Sequence, residues 1–124
     1  MPAAEIVAET DAPPEDIAHA IWSWMRSNVR YAREPGEVLE LPGFTLRHRV
    51  ADCDGHCMLF LALAGALDVD AACRVGWAPR LGDGAMAPMH VWPVVRGAGG
   101  RLWHACTTTG APFGVDPMSV IRSV

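Results

Sequence analysis

The sequence predicts an α+β fold, with an N-terminal helix and a buried central helix packed on a small antiparallel sheet. Three observations carry that prediction. Ile17, Ala20, Ile21, Trp24, Met25 and Asn28 recur at three- and four-residue spacing, which gives one mostly apolar stripe along a helix from about Asp16 to Tyr31. From Asp54 to Leu67 the residues are apolar nearly all round after the first turn, the pattern of a helix enclosed on most sides. Ala72 to Trp77, Met89 to Arg96, and Arg101 to Cys106 are strand-like, and Gly97-Ala98-Gly99-Gly100 between the last two is a hairpin signal. Helices followed by a run of strands bury their apolar faces as a helix layer on a sheet.

The remaining segments connect these elements. Residues 1 to 14, ending in Asp11-Ala12-Pro13-Pro14, form an irregular lead-in. Glu34 to Gly43 reads as a loop, and Phe44 to Val50 alternates like a short extended segment. Asp68 to Asp70 ends the second helix, residues 78 to 88 read as a loop, and residues 110 to 124 as a tail with little pattern. At 124 residues the chain has room for one domain, with its core over about residues 15 to 109.

Composition narrows the function classes. With 51% hydrophobic and 19% charged residues the chain is of globular type. A net charge of −4, with arginine as the only strong cation, fits neither a nucleic-acid footprint nor a polybasic membrane anchor. The longest nearly uninterrupted apolar run, Cys57 to Leu67, falls well short of the ~20 residues that a spanning helix requires. Met1 to Glu9 holds two acids and no base, unlike a secretory signal, so a cytoplasmic location is expected. There, four cysteines are expected as thiols, ligands or nucleophiles rather than as disulfides.

Asp52-Cys53-Asp54-Gly55-His56-Cys57 is the densest cluster of reactive side chains, placed where an extended segment enters the buried helix. Asp52 suits an N-cap, which puts Cys53 in the first helical turn, where free backbone N–H groups and the helix dipole favour a thiolate and can donate to an oxyanion. That effect is worth only ~1 kcal/mol, and Asp52 and Asp54 oppose it. Cys53 therefore needs a basic partner from elsewhere in the chain.

The hairpin offers His90. With Ala98-Gly99 as turn residues, Arg96 faces Arg101, Val94 faces Trp103, Trp92 faces Ala105, and His90 faces Thr107. Strand alternation then groups His90, Trp92, Val94, Trp103, Ala105 and Thr107 on one face, with Val91, Val95, His104 and Cys106 on the other. In this register Trp92 and Trp103 wall a cleft beside His90.

Other readings compete. Cys53 and Cys57 lie one turn apart beside His56, which suggests a zinc site, but the usual Cys-x-x-Cys pair is absent and Cys57 joins the buried stripe of Phe60, Leu61 and Ala64. No metal is expected. Cys73 and Cys106 read as core thiols, Arg47-His48-Arg49 as a solvated strand edge, and Gly97, Gly99 and Gly100 as a turn rather than a phosphate loop.

The run Asp52-Cys53-Asp54-Gly55-His56 heading a Leu/Ala-rich helix, then Arg74-Val75, Met89-His90-Val91-Trp92 and Leu102-Trp103-His104-Ala105, resembles the bacterial and phage transglutaminase-like family over about Ile17 to Thr109. The resemblance implies a papain-like α+β fold, with Cys53 as nucleophile and His90 as base. The family's aspartate position falls on Thr107. Family members read Trp-x-x-x-Asp-x-Thr there, whereas this chain reads Trp103-His-Ala-Cys-Thr107-Thr108-Thr109. A threonine can fix an imidazole tautomer but cannot balance its charge, and Asp116 is the one substitute carboxylate in the tail. The implied activity is cofactor-free acyl transfer on a protein or peptide amide, by hydrolysis first and transamidation second. The alternative is a catalytically inactive binding or phage assembly module, and the resemblance allows a prophage or virion setting.

Overall fold

A computed structural model describes residues 12–31, 50–51, 53–79 and 82–122. Helix α1 runs Pro14–Asn28, short strands β1 (Arg30–Tyr31) and β2 (Val50–Ala51) pair in parallel, and helix α2 runs Cys53–Ala66. Strands β3 (Ala71–Pro79), β4 (Met86–Arg96) and β5 (Leu102–His104) follow, and helix α3 (Pro117–Arg122) comes last. The three strands form an antiparallel sheet in the order β3-β4-β5. Asp52, Arg47-His48-Arg49 and most of the extended segment expected at Phe44 to Val50 lie outside the described residues.

Each helix is set by local chemistry. α1 begins on Pro14, whose fixed φ and missing N–H suit a first helical position, with Glu15 and Asp16 on the positive end of the dipole. α2 ends with Asp68 at a φ of 61°, while Val69 N–H bonds to Ala64 O at 2.8 Å and Asp68 N–H to Gly65 O at 3.2 Å. This paired closure satisfies the last carbonyls and turns buried Val69 back onto the core.

The main core joins Ile17, Ala18, Ile21 and Met25 of α1, Leu59, Phe60, Leu63 and Ala64 of α2, and Val95 of β4 with Ala105 beyond β5. Trp92, Cys106 and Met118 make a second, smaller cluster. No helix among the described residues is long and apolar enough to cross a membrane.

Three expectations need correction. The loop read over residues 78 to 88 is shorter, because β3 runs to Pro79 and β4 starts at Met86. The tail holds α3, whose start is signalled by Asp116-Pro117: the Asp116 carboxylate accepts Met118 N–H at 2.8 Å as an N-cap, and proline takes the first helical position. Finally, Cys57 and Cys73 form a disulfide between α2 and β3, so Cys73 is not the core thiol expected and the four cysteines are not all thiols. The packing of helix on strand brings the Cys57 and Cys73 Cα atoms to 6.5 Å, within the reach of a disulfide.

Candidate active site

Cys53 is the first residue of α2, half-buried and free, while Gly55, His56 and Cys57 behind it are buried. His90 reaches the same place from β4. Gly76 pairs with His90 but Trp77 pairs with Pro88, so Met89 is an extra, bulged residue immediately before the histidine. A bulge of this kind re-aims the neighbouring side chain. The result is a cavity of about 260 Å³ lined by Cys53, Asp54, Val75, Met89, His90 and Val91. Gly76 is the close-approach point behind it: a Cβ there would collide with the Met118 sulfur and come within 2.9 Å of the Trp92 ring.

The hairpin register differs from expectation by one residue. Arg96 pairs with Leu102, Val95 with Trp103 and Val94 with His104, and Ala105 N–H bonds to Pro93 O at 2.9 Å. Three residues, Ala98 to Gly100, form the loop, with Gly97 N–H closing on Arg101 O at 2.8 Å and φ of 78° and 83° at Gly99 and Gly100. Those positive angles are open to glycine and make room for the longer loop. A slip of one residue exchanges the faces of a strand. His104 and Cys106 therefore join His90 and Trp92, whereas Trp103 leaves the cleft to stack on Phe113 at 5.7 Å.

The expected pairing of Thr107 with His90 is corrected accordingly. Thr107 turns its hydroxyl to buried His56, with 2.7 Å between Oγ1 and Nδ1. Asp116 is occupied at the start of α3 and its charge falls on His104, not on His90. It is Cys106 that meets His90, with Nε2 and Sγ 3.2 Å apart.

His90 also stacks on Trp92, with ring centroids 5.7 Å apart. Trp92 Nε1–H in turn donates to His104 Nδ1 at 2.9 Å. Burial holds His104 below the ordinary histidine value; Asp116 opposes this and Arg74 reinforces it. A neutral His104 keeps Nδ1 free to accept, which fixes the indole that the His90 ring rests on.

Burial by itself would lower the His90 pKa, but hydrogen bonds to the Cys106 and Cys53 sulfurs, with their negative charge, outweigh it and raise the value to about 9. Burial pushes the Cys106 thiol up, and hydrogen bonds from His90, Thr109 and Thr108 more than reverse this, bringing it to about 7. An imidazolium beside a thiolate is thus the arrangement favoured between these two values.

With Cys57 committed to the disulfide, the sequence-level zinc set of Cys53, Cys57 and His56 loses a ligand. Among the described residues no group of three His, Cys, Asp or Glu side chains is arranged to hold a metal ion. The residues that sequence reasoning missed are Cys106, Thr108 and Thr109, together with His104. The signal was the glycine-rich loop, since a three-residue connection shifts every pair by one.

Comparison with known proteins agrees with this architecture. The family model for the transglutaminase-like superfamily matches residues 2–107. The fold is similar to the crystal structure of a candidate cysteine protease from Cytophaga hutchinsonii, with a TM-score of 0.68 and 22% identity, over 89% of this chain and 36% of that one. It is also similar to the crystal structure of a TGase, with a TM-score of 0.63 and 12% identity, over 98% of this chain and 34% of that one. The chain thus spans about a third of the length of these structures. Among curated proteins, none matches the sequence. A match over residues 2–107 of a 124-residue sequence establishes that the chain belongs to the transglutaminase-like superfamily.

Proposed function

We propose that the protein is a cysteine enzyme that transfers an acyl group from an amide, most readily to water. The observation that carries this is the shared cavity: a free, half-buried sulfur at a helix N-terminus and an imidazole on a strand line the same wall. With Nε2 taken by Cys106, Nδ1 is the ring nitrogen left for Cys53. The His90 imidazolium, its Nε2–H on Cys106, holds Cys53 as a thiolate through Nδ1–H, the thiolate attacks the amide carbonyl, and the backbone N–H groups of the first turn of α2 stabilise the oxyanion. Collapse breaks the C–N bond, and the leaving amine takes the proton from Nδ1, leaving a Cys53 thioester. Water, giving up its proton to His90, then releases the acid; an amine in its place gives transamidation.

Val75, Met89 and Val91 make the cavity wall apolar, and Val75 and Met89 remain well exposed at 44% and 55%. This favours a peptide with an apolar side chain next to the scissile amide. The names of the two solved neighbours, a cysteine protease and a TGase, span both outcomes. The Cys57–Cys73 disulfide supports an oxidising compartment, against the cytoplasmic expectation.

An activated ester tests the reading. p-Nitrophenyl acetate is expected to give a burst of one p-nitrophenol per chain and an acetyl group on the Cys53 peptide, discharged by water and faster still if an added amine is an acceptor. Absence of acylation at Cys53 in the folded protein would overturn it.

A further inference from the structure

We propose that Cys106 is a positioning residue for His90, a buried thiolate standing where a carboxylate would otherwise orient and balance the imidazolium of the Cys53–His90 pair. The inference rests on that pair being the reacting one.

The backbone around Cys106 is held from two sides. Trp22 Nε1–H of α1 donates to the Cys106 carbonyl at 2.7 Å, and Arg26 of α1 donates to the carbonyls of Thr109 and Ala111 at 3.3 and 3.4 Å. On the other side Ala105 N–H is tied to Pro93 O of β4. The sulfur is thereby fixed at 3.2 Å from His90 Nε2.

Its surroundings are those of an anion. The Thr109 hydroxyl donates to Sγ at 3.2 Å, the Thr108 hydroxyl lies 3.7 Å away, and the Thr108 backbone N–H also serves the sulfur. A neutral thiol is a weak acceptor with one weak donor hydrogen, and gains little from several donors aimed at it. A thiolate gains from each, since hydrogen bonds to an ionised acceptor are about twice as strong as neutral ones. The depressed thiol and raised imidazole values already given agree with this.

The two free sulfurs have different access. Cys106 is only 1% exposed and meets His90 from the protein side, whereas Cys53 lines the cavity. Cys106 therefore has no route to an acyl substrate and acts only through His90. Among the described residues, the other charged groups recorded around the site are Asp54 on the cavity wall and Arg74 and Asp116, whose fields fall on His104.

The test compares Cys106→Ser, Cys106→Ala and Cys106→Asp in the full chain, by NMR titration of the His90 ring and by Cys53 alkylation mapped by mass spectrometry. Loss of the anion in the Ser and Ala variants is expected to bring the His90 titration down by at least one pH unit. Cys53 alkylation at neutral pH is expected to slow about tenfold or more, the factor attached to one such unit. Cys106→Asp is expected to restore both to within about threefold of wild type, a rescue that packing alone would not give. Thermal unfolding identifies any variant that fails to fold, and near-isosteric Cys106→Ser then decides. The proposal is overturned if folded Cys106→Ser keeps the wild-type His90 titration and Cys53 rate. If His90→Ala also leaves the Cys53 rate unchanged, the Cys53–His90 reading itself has failed; if His90→Ala slows Cys53 and Cys106→Ser does not, only the role of Cys106 has.

Discussion

His90 Nε2 and Cys106 Sγ lie 3.2 Å apart, so the histidine that lines the cavity leans on a sulfur rather than on a carboxylate. The consequence for stability can be signed. His90 is raised from 6.5 to about 9, so its share of stability is complete below 6.5 and is lost as pH rises through about 9. Cys106 is lowered from 9.0 to about 7, so its share is complete above 9.0 and is lost as pH falls through about 7. The His90–Cys106 ion pair contributes to both shares, beside Cys53 for the histidine and Thr108 and Thr109 for the thiol. The advantage of wild type over Cys106→Ser in urea unfolding is therefore expected to peak between those two values and shrink on either side, and a pH-independent difference would contradict the pair.

Thr107 gives a contrasting prediction. Its hydroxyl satisfies the His56 ring, which is only 1% exposed. Thr107→Val is expected to cost about 1 kcal/mol, the typical loss for one buried hydrogen bond, with the pH dependence of Cys53 alkylation unchanged. A shifted profile would restore Thr107 to the neighbourhood of His90.

The difference between these two residues shows where the sequence was legible. Periodicity located α1, α2 and the three strands, and the reactive cluster placed Cys53 at a helix start with His90 on a strand. The faces of the hairpin were not legible, because they depend on whether the loop holds two, three or four residues, and Gly97-Ala98-Gly99-Gly100 suits each. One residue of register moved Cys106 to His90 and Thr107 to His56. The disulfide was hidden for another reason: nothing in the spacing of Cys57 and Cys73 marks them as partners until α2 is laid against β3.

That disulfide predicts a thiol count. Unfolded without reductant, the protein is expected to show two titratable thiols, Cys53 and Cys106, and after reduction all four. Closing a loop with a separation of 16 residues, it is expected to contribute about 3 kcal/mol, read as the loss of stability in Cys73→Ser. A count of four thiols before reduction would contradict the bridge.

Gly76 predicts a packing effect at the site. Gly76→Ala puts a Cβ against Met118 and within 2.9 Å of Trp92, on which His90 stacks. A cost of about 1–3 kcal/mol, typical of overpacking, is expected together with slower Cys53 alkylation as the indole is displaced. Wild-type stability in this variant would mean that α3 yields freely.

The central claim is that Cys53 and His90 act as one unit, and the alkylation rate of Cys53 by iodoacetamide at about pH 6.5 tests it most directly, in wild type and in His90→Ala. A paired thiol reacts there at least about tenfold faster than a free cysteine, because the imidazolium stabilises its thiolate, and the advantage disappears in His90→Ala. Equal rates for wild type, variant and free cysteine would contradict the account.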